Sequence, residues 1–310
     1  MTESALSPSE QSASLWSLGG LGWRELGKRA WAEIDKDDLL NRAYELAYNF
    51  MLSFFPLLLF LVAVFGILAS HGSTLRHDLF YYFQRALPSD AYGVVTKTLD
   101  EVTRNAGPGK LSFGLLFTLY AGSGGMTQLI STLNTAYGVR ERRSWIKVHL
   151  LAVALTAGLA VFVFGGLLLM LGGGHVAEYW GGKIGLSSAA VAIWKVLQWV
   201  LAFGFIIFAF AIIYYYAPNV KERHWYWITP GSVVGVVLWI AATAAFRLYL
   251  HYFNSYSKTY GSLGAVIILM IWFYVTGLAF LVGGEINAVI EQAAAERGHP
   301  EAKAEGQKAA

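Results

Sequence analysis

Six stretches of the chain contain no Asp, Glu, Lys or Arg: residues 46–75, 111–139, 148–177, 196–220, 224–246 and 259–284. A hydrocarbon core about 30 Å thick takes roughly 20 helical residues to cross, so each stretch is long enough to span a bilayer. Backbone N–H and C=O groups surrounded by lipid must bond within their own segment. That requirement selects helices, and the alternating pattern of barrel strands is absent. Composition agrees, with 56% hydrophobic and only 14% charged residues among 310, far below the charged share of a water-soluble domain. The expected fold is all-α, a polytopic integral membrane protein with about six transmembrane helices. Residues 39–291 make up that domain, residues 1–38 an N-terminal segment before it, and residues 292–310 a flexible tail rich in Ala, Glu and Lys.

The basic residues orient the bundle. Arg24, Lys28, Arg29, Lys36 and Arg42 precede the first span, Arg140, Arg142, Arg143 and Lys147 crowd the second loop, and Lys221 and Arg223 mark the fourth. The third and fifth loops hold only Lys183 and Lys258, and the bases of the first are diluted by Asp78, Asp90, Asp100 and Glu101. Both termini are therefore expected in the cytoplasm. The net charge of +3 is largely this topology signal, so no nucleic-acid partner is implied. Residues 1–40 lack an apolar run before a small-residue cleavage site, and the first span is expected to remain in the mature protein. Zero cysteines exclude disulfides and thiolate metal sites.

Outside the spans, GWRELGKRAWAEI places Trp23, Leu26, Ala30 and Ile34 on one helical face and most charges on the other. This predicts an amphipathic helix, lying on the cytoplasmic leaflet or packed under the bundle. Residues 73–105 show helical periodicity broken at Leu87-Pro88, which predicts short helices in the first outer loop. VRERRSW at 139–145 and VKERHWYW at 220–227 echo one another. A duplicated hairpin would produce the echo, and so would two turns obeying the same interfacial preferences.

Within the spans, the informative residues are those that lipid should reject. Glu45, Asn49 and Ser53 follow at helical spacing before Pro56 and are expected to face inward. The second window is small or polar from Ala121 to Thr135 and must be surrounded by protein, and Gly231 with Gly235 repeats the small-xxx-small spacing of close helix pairs. Gln128 and Asn134 join the first-helix stripe as candidates for a polar cavity. Lys195 with Arg247 and His251 is read either as a set of interfacial anchors or as a cationic ledge toward the outer face. Glu285 is the only charged residue between Lys258 and Glu291. Its depth predicts a place beside Asn49 and Asn134, accepting hydrogen bonds from their amides or from Arg140 or Arg142. Gly283 and Gly284 predict the close approach of a neighbouring backbone.

AYELAYNFMLSFFPLLLFL, TAYGVRERRSWIK, YYYAPNVKERHWYWITPGSVVGVVLW and FRLYLHYFNSYSKTYGSLGAVIILMIWFYVTGLAFLVGGEINAVI, in this order, resemble the YihY/BrkB family of bacterial inner-membrane proteins. The resemblance covers about Asp37 to Glu291. It implies a six-span inner-membrane protein, with suggested roles in moving envelope lipids or lipopolysaccharide precursors. An older ribonuclease label in that family has no support here, because the seven histidines form no metal-binding cluster and no soluble domain could house a nuclease. The functional expectation is a non-enzymatic translocator of a lipid or other anionic amphiphile. Its candidate residues are Glu45, Asn49, Ser53, Gln128, Asn134, Lys195, Arg247, His251, Glu285 and Asn287, with membrane lipids as partners and no cofactor or metal. A homo-oligomer or an envelope partner is left open. The alternative is a membrane scaffold whose polar residues only lock helices together.

Overall fold

The computed structural model describes residue 16 and residues 18–69, 108–184, 188–220, 228–252 and 262–296. Among these, every regular element is helical: a 3₁₀ turn at Leu18–Gly20, then α1 (Trp23–Lys36), α2 (Leu39–Ala69), α3 (Pro108–Gly122), α4 (Gly124–Ala136), α5 (Trp145–Ile184), α6 (Ser188–Tyr216), α7 (Pro230–Tyr252) and α8 (Ser262–Glu296). The all-α membrane architecture read from the sequence is therefore present. Five of these helices are long and apolar enough to cross a membrane, namely α2, α5, α6, α7 and α8. The second charge-free window is instead divided between α3 and α4. The expected helices within 73–105 and the echo at 220–227 lie outside the described residues, apart from Val220.

The division falls at Ser123. Its N–H and its hydroxyl both turn back to the Tyr120 carbonyl, at 3.1 and 2.7 Å. A break in a helix at membrane depth frees backbone donors that lipid cannot satisfy. The neighbouring helix supplies an acceptor, because Ser53 Oγ on α2 receives the Gly125 N–H at 2.7 Å. Ser53 is thus buried as the stripe predicted, and its role is to seal the break.

The packed core lies toward the end of the bundle that carries Arg140 to Arg143, called the basic end below. Leu39, Leu46, Leu129, Ile130, Leu133, Ile213 and Leu281 are almost inaccessible there. Phe210 of α6 stacks on Phe280 of α8 with centroids 3.7 Å apart, and the Tyr214 hydroxyl donates to the Phe280 carbonyl at 2.7 Å. The α7–α8 crossing is closer still. A Cβ on Gly231 would collide with the Gly283 carbonyl and the Asn287 side chain, and one on Gly235 would press on Tyr214 and Phe210. The small-xxx-small reading of this pair therefore corresponds to a real backbone contact.

Helix α1 lies along the last turns of α8. Leu26 and Ala30 share a buried cluster with Val289, Ile290 and Ala293, and Ile34 reaches the main core. Ahead of α1, Gly19 has φ +61° and rests so close to the Ile290 carbonyl that a Cβ would come within 2.6 Å of it, a position only glycine fills without strain. Trp23, expected on the packed face, is instead 70% exposed, and Trp31 is 71% exposed. The helix thus spends Leu26 and Ala30 on the bundle and leaves both indoles facing outward.

Gly231→Ala should lower the thermal midpoint of the detergent-purified protein, with overpacking of roughly 1–3 kcal/mol. Gly27→Ala on α1, where nothing lies within 4 Å of an added Cβ, should be neutral or stabilising by about 0.5–1 kcal/mol. Equal effects of the two would contradict the close crossing.

Candidate functional site

Four of the candidate polar residues, Glu45, Ser53, Gln128 and Asn287, are bonded between helices, and Asn134 is bonded to two loops. On α2 and α4, Gln128 Nε2 donates to Glu45 Oε2 at 2.9 Å, and Asn49 Nδ2 donates to the Glu45 carbonyl of its own helix at 2.8 Å. Glu45 was expected to face inward, yet it is exposed on the flank of the bundle. Helical spacing fixes that Glu45, Asn49 and Ser53 share a stripe, but a neighbour covers only the Ser53 end of it.

Asn134 and Asn287 serve chain ends. Asn287 Oδ1 accepts the Gly231 N–H at 2.9 Å, and its amide donates to Thr229 Oγ1 at 3.0 Å. These bonds satisfy the first turn of α7, where Pro230 has no N–H to offer. Asn134 accepts the Asn219 N–H at 2.7 Å and donates to Glu141 Oε2 at 2.8 Å. Glu141 also receives Arg143 through Nε at 2.8 Å and NH2 at 2.6 Å. The same guanidinium donates to the Tyr216 and Ala217 carbonyls at 3.3 and 2.8 Å, capping the C-terminus of α6 with positive charge. Burial pushes the Glu141 carboxyl up, but hydrogen bonds from the Arg143 side chain and backbone and from Asn134 hold it below its ordinary value.

Glu285 differs from these. It is 1% exposed, as an interior position predicts, and its Oε2 has no hydrogen-bond partner. Asn134 and Asn49 do not supply one, since their amides donate to Glu141 and to the Glu45 carbonyl. Gly283 and Gly284 explain the placement. A Cβ on Gly283 would strike Gly231 of α7, and one on Gly284 would strike Leu133 of α4 at 2.6 Å. With α7 and α4 pressed against those two positions, the next residue points to the remaining side, where α1 lies. There Glu285 meets Glu33 and Asp37, with one carboxylate oxygen from each lying within 4.8 Å of the others. These three line a cavity of about 280 Å³ whose wall also includes Lys36, Tyr137 and Glu291.

Glu33, Lys36 and Asp37 do not stand out in the sequence, because Glu33 reads as the polar face of an amphipathic helix, Lys36 as one of the bases that orient the bundle, and Asp37 as the residue that follows the helix. Their one signal is the i, i+4 spacing of Glu33 and Asp37 at its end. At the opposite end of α7, Arg247 and His251 are exposed, and His251 touches Tyr252 edge-on at 5.4 Å. Lys195 lies on α6, but its side chain falls outside the described residues.

A family model described as virulence factor BrkB matches residues 30–307. The chain is 32% identical to the ribonuclease-like protein YfkH of Bacillus subtilis (strain 168) over 252 residues, 81% of this chain and 90% of that protein. It is 25% identical over 266 residues to a UPF0761 membrane protein of Tolumonas auensis, covering 84% and 83% of the two chains. A UPF0761 membrane protein of Vibrio atlanticus is 27% identical over 262 residues, covering 81% and 77%. No solved structure matches.

The Glu141–Arg143 clamp makes stability depend on pH. Because the folded-state carboxyl is held below its ordinary value of 4.5, its contribution is complete above that value and is lost as pH falls below it. Parent protein and Glu141→Gln should therefore converge in thermal midpoint between neutral pH and about pH 3. A constant gap over that range would contradict the assignment.

Proposed function

The chain belongs to the virulence factor BrkB family, and on that premise we propose that it translocates a lipid or other anionic amphiphile across the bacterial inner membrane, with both termini in the cytoplasm. The observation that carries this reading is the Glu45–Gln128 pair. A carboxylate on the spanning helix α2, hydrogen-bonded to an amide on the short helix α4 and exposed on the outside of the bundle, offers polar contacts to a molecule still immersed in the bilayer. Asn49 and Ser131 extend the same flank, half-buried and exposed respectively. A head group moving along it keeps polar partners while its acyl chains stay in lipid. The broken α3–α4 helix adds support, since discontinuous spans line substrate paths in many transporters. At the far end, Arg247 and His251 are exposed cationic or polar groups suited to a phosphate. Glu45 itself favours hydroxyl or ammonium groups, so an amphiphile carrying both phosphate and hydroxyls suits the two ends best. This reading gives the chain no catalytic step.

A second reading, the scaffold, is favoured by a specific observation. Ser53, Asn134 and Asn287 are all consumed in bonds that join one helix or loop to another. On that view, a partner protein or another copy of the chain would cover the polar flank.

Vesicles reconstituted with the protein and fluorescent lipids separate the two. The translocator reading expects leaflet exchange above background, reduced when Glu45→Ala and Gln128→Leu are combined. Neutralising Lys195 and Arg247 together should slow an anionic lipid more than a zwitterionic one. Exchange at the protein-free rate in folded, correctly inserted protein would favour the scaffold.

A further inference from the structure

The connection from α4 to α5 is short and firmly held. Gly138 turns it with φ +60°, the Val139 N–H returns to the Asn134 carbonyl at 2.8 Å, and the Asn219 side chain donates to the Arg140 carbonyl at 3.1 Å. Beyond Gly138 the residues alternate in what they do. Val139 is buried, Glu141 is bonded to Asn134 and Arg143, and Arg143 reaches the end of α6. Arg140 and Arg142, between them, are exposed, and their side chains make no hydrogen bond or ion pair among the described residues. An extended segment produces this pattern, because its successive side chains take opposite sides. Lys147, in the first turn of α5, is likewise exposed and without a partner among the described residues. Arg143 matches Glu141, the only acid between residues 140 and 147. Arg140, Arg142 and Lys147 are left as a patch of positive charge.

What this patch adjoins follows from α5. Ile146, Leu150, Ala154 and Val161 are all exposed, and their spacing puts them on one face of the helix. Since α5 is long and apolar enough to cross a membrane, that face meets acyl chains. Lys147 stands at its edge, where a long side chain extends its charge toward the head groups. Trp145 opens the helix 66% exposed. The His149 ring lies 4.0 Å from the indole, with Nδ1 2.9 Å from the Trp145 carbonyl, and Tyr120 of α3 stacks on the same imidazole at 6.1 Å. Trp and Tyr rings are favoured at the membrane–water boundary, having an apolar body and a polar edge. An apolar face, aromatic rings beside its start and unpaired cations next to them match, in order, the acyl chains, the glycerol region and the phosphate of a phospholipid. An acidic protein segment would answer the charge but would not cover a face that continues into the bilayer. A zwitterionic head group carries its own ammonium, which competes for the phosphate, so a net anionic one suits the patch better.

We propose that Arg140, Arg142 and Lys147, with Trp145 beside them, form a binding site for an anionic phospholipid of the leaflet at the basic end of the bundle. The phosphate lies against the three cations, and an acyl chain runs along Ile146, Leu150 and Ala154. The site uses none of the residues of the Glu45–Gln128 flank, and it holds whether or not the chain moves lipid between leaflets. Because the same loop carries Arg143 to the end of α6, a lipid bound here stabilises the join between α4, α5 and α6.

The test uses full-length, delipidated protein in a nonionic detergent, titrated with phosphatidylglycerol or phosphatidylcholine, with bound lipid read by native mass spectrometry and stability by thermal midpoint. The expected result is saturable retention of phosphatidylglycerol in preference to phosphatidylcholine, with a rise in midpoint on binding. Combining Arg140→Gln, Arg142→Gln and Lys147→Gln should weaken phosphatidylglycerol binding at least about tenfold and abolish the thermal shift. Arg24→Gln with Lys28→Gln removes exposed cations of α1 and should leave both readouts unchanged. Equal retention of the two lipids by the folded parent would overturn the proposal. An equal loss of phosphatidylglycerol from the α1 variant would overturn it too, by showing that the net charge of the protein and not this loop selects the lipid.

Discussion

A helix that stops at the edge of a hydrocarbon layer leaves N–H or C=O groups that lipid cannot bond, and much of the basic end of this bundle is arranged around that deficit. Asn287 caps the start of α7, Arg143 caps the end of α6, and Asn134 ties the following loop to the loop after α4. Deeper in the bundle, Ser53 does the same for the α3–α4 break. Each of these polar side chains is buried or half-buried, and each has its partner in a different helix or loop. They convert the ends of separate helices into one connected layer, and that layer sets how closely α7 and α8 approach at Gly231 and Gly283.

Glu285 stands out against this pattern. Among the described residues, four buried side-chain atoms have no hydrogen-bond partner, and Glu285 Oε2 is the only carboxylate oxygen of the four. The other three lie on Thr156, Gln198 and Thr243, whose side chains do not ionise. An oxygen that joins no network contributes nothing through hydrogen bonding to the fold. The polar groups of the bundle therefore divide into those that complete the structure and those that remain available, Glu285 on the inside and Glu45 with Gln128 on the flank.

The sequence disclosed the first level of this arrangement well. Uninterrupted apolar windows announce spanning helices because hydrocarbon thickness alone sets their length, and Gly231 with Gly235 announces a close crossing because only small side chains permit one. Burial of Ser53 and Asn134 followed from spacing and from the small and polar run of the second window, and the interior position of Glu285 from its flanking glycines. The directions of their bonds did not follow. Whether Glu45 faces a neighbour or the bilayer depends on where α4 ends its coverage of α2, and a single-helix periodicity carries no such information. Glu33 and Asp37 lie some 250 residues from Glu285 in the chain, one on the polar face of α1 and the other just after its end, so nothing local marks them as its companions. The small residues at 122–125 are compatible with close packing, whereas the break at Ser123 is visible only with Ser53 in place to accept the freed Gly125 donor.

The most direct measure of this division is the unfolding free energy of Glu285→Gln in detergent-solubilised protein. A side chain whose Oε2 accepts no hydrogen bond and that lies beside two other carboxyl groups should be replaceable by its neutral isostere without loss, leaving the variant as stable as the parent or more so. A loss of more than about 1–2 kcal/mol, the range expected when a bonded buried acceptor is removed, would contradict the account and place Glu285 among the residues that hold the helix ends together.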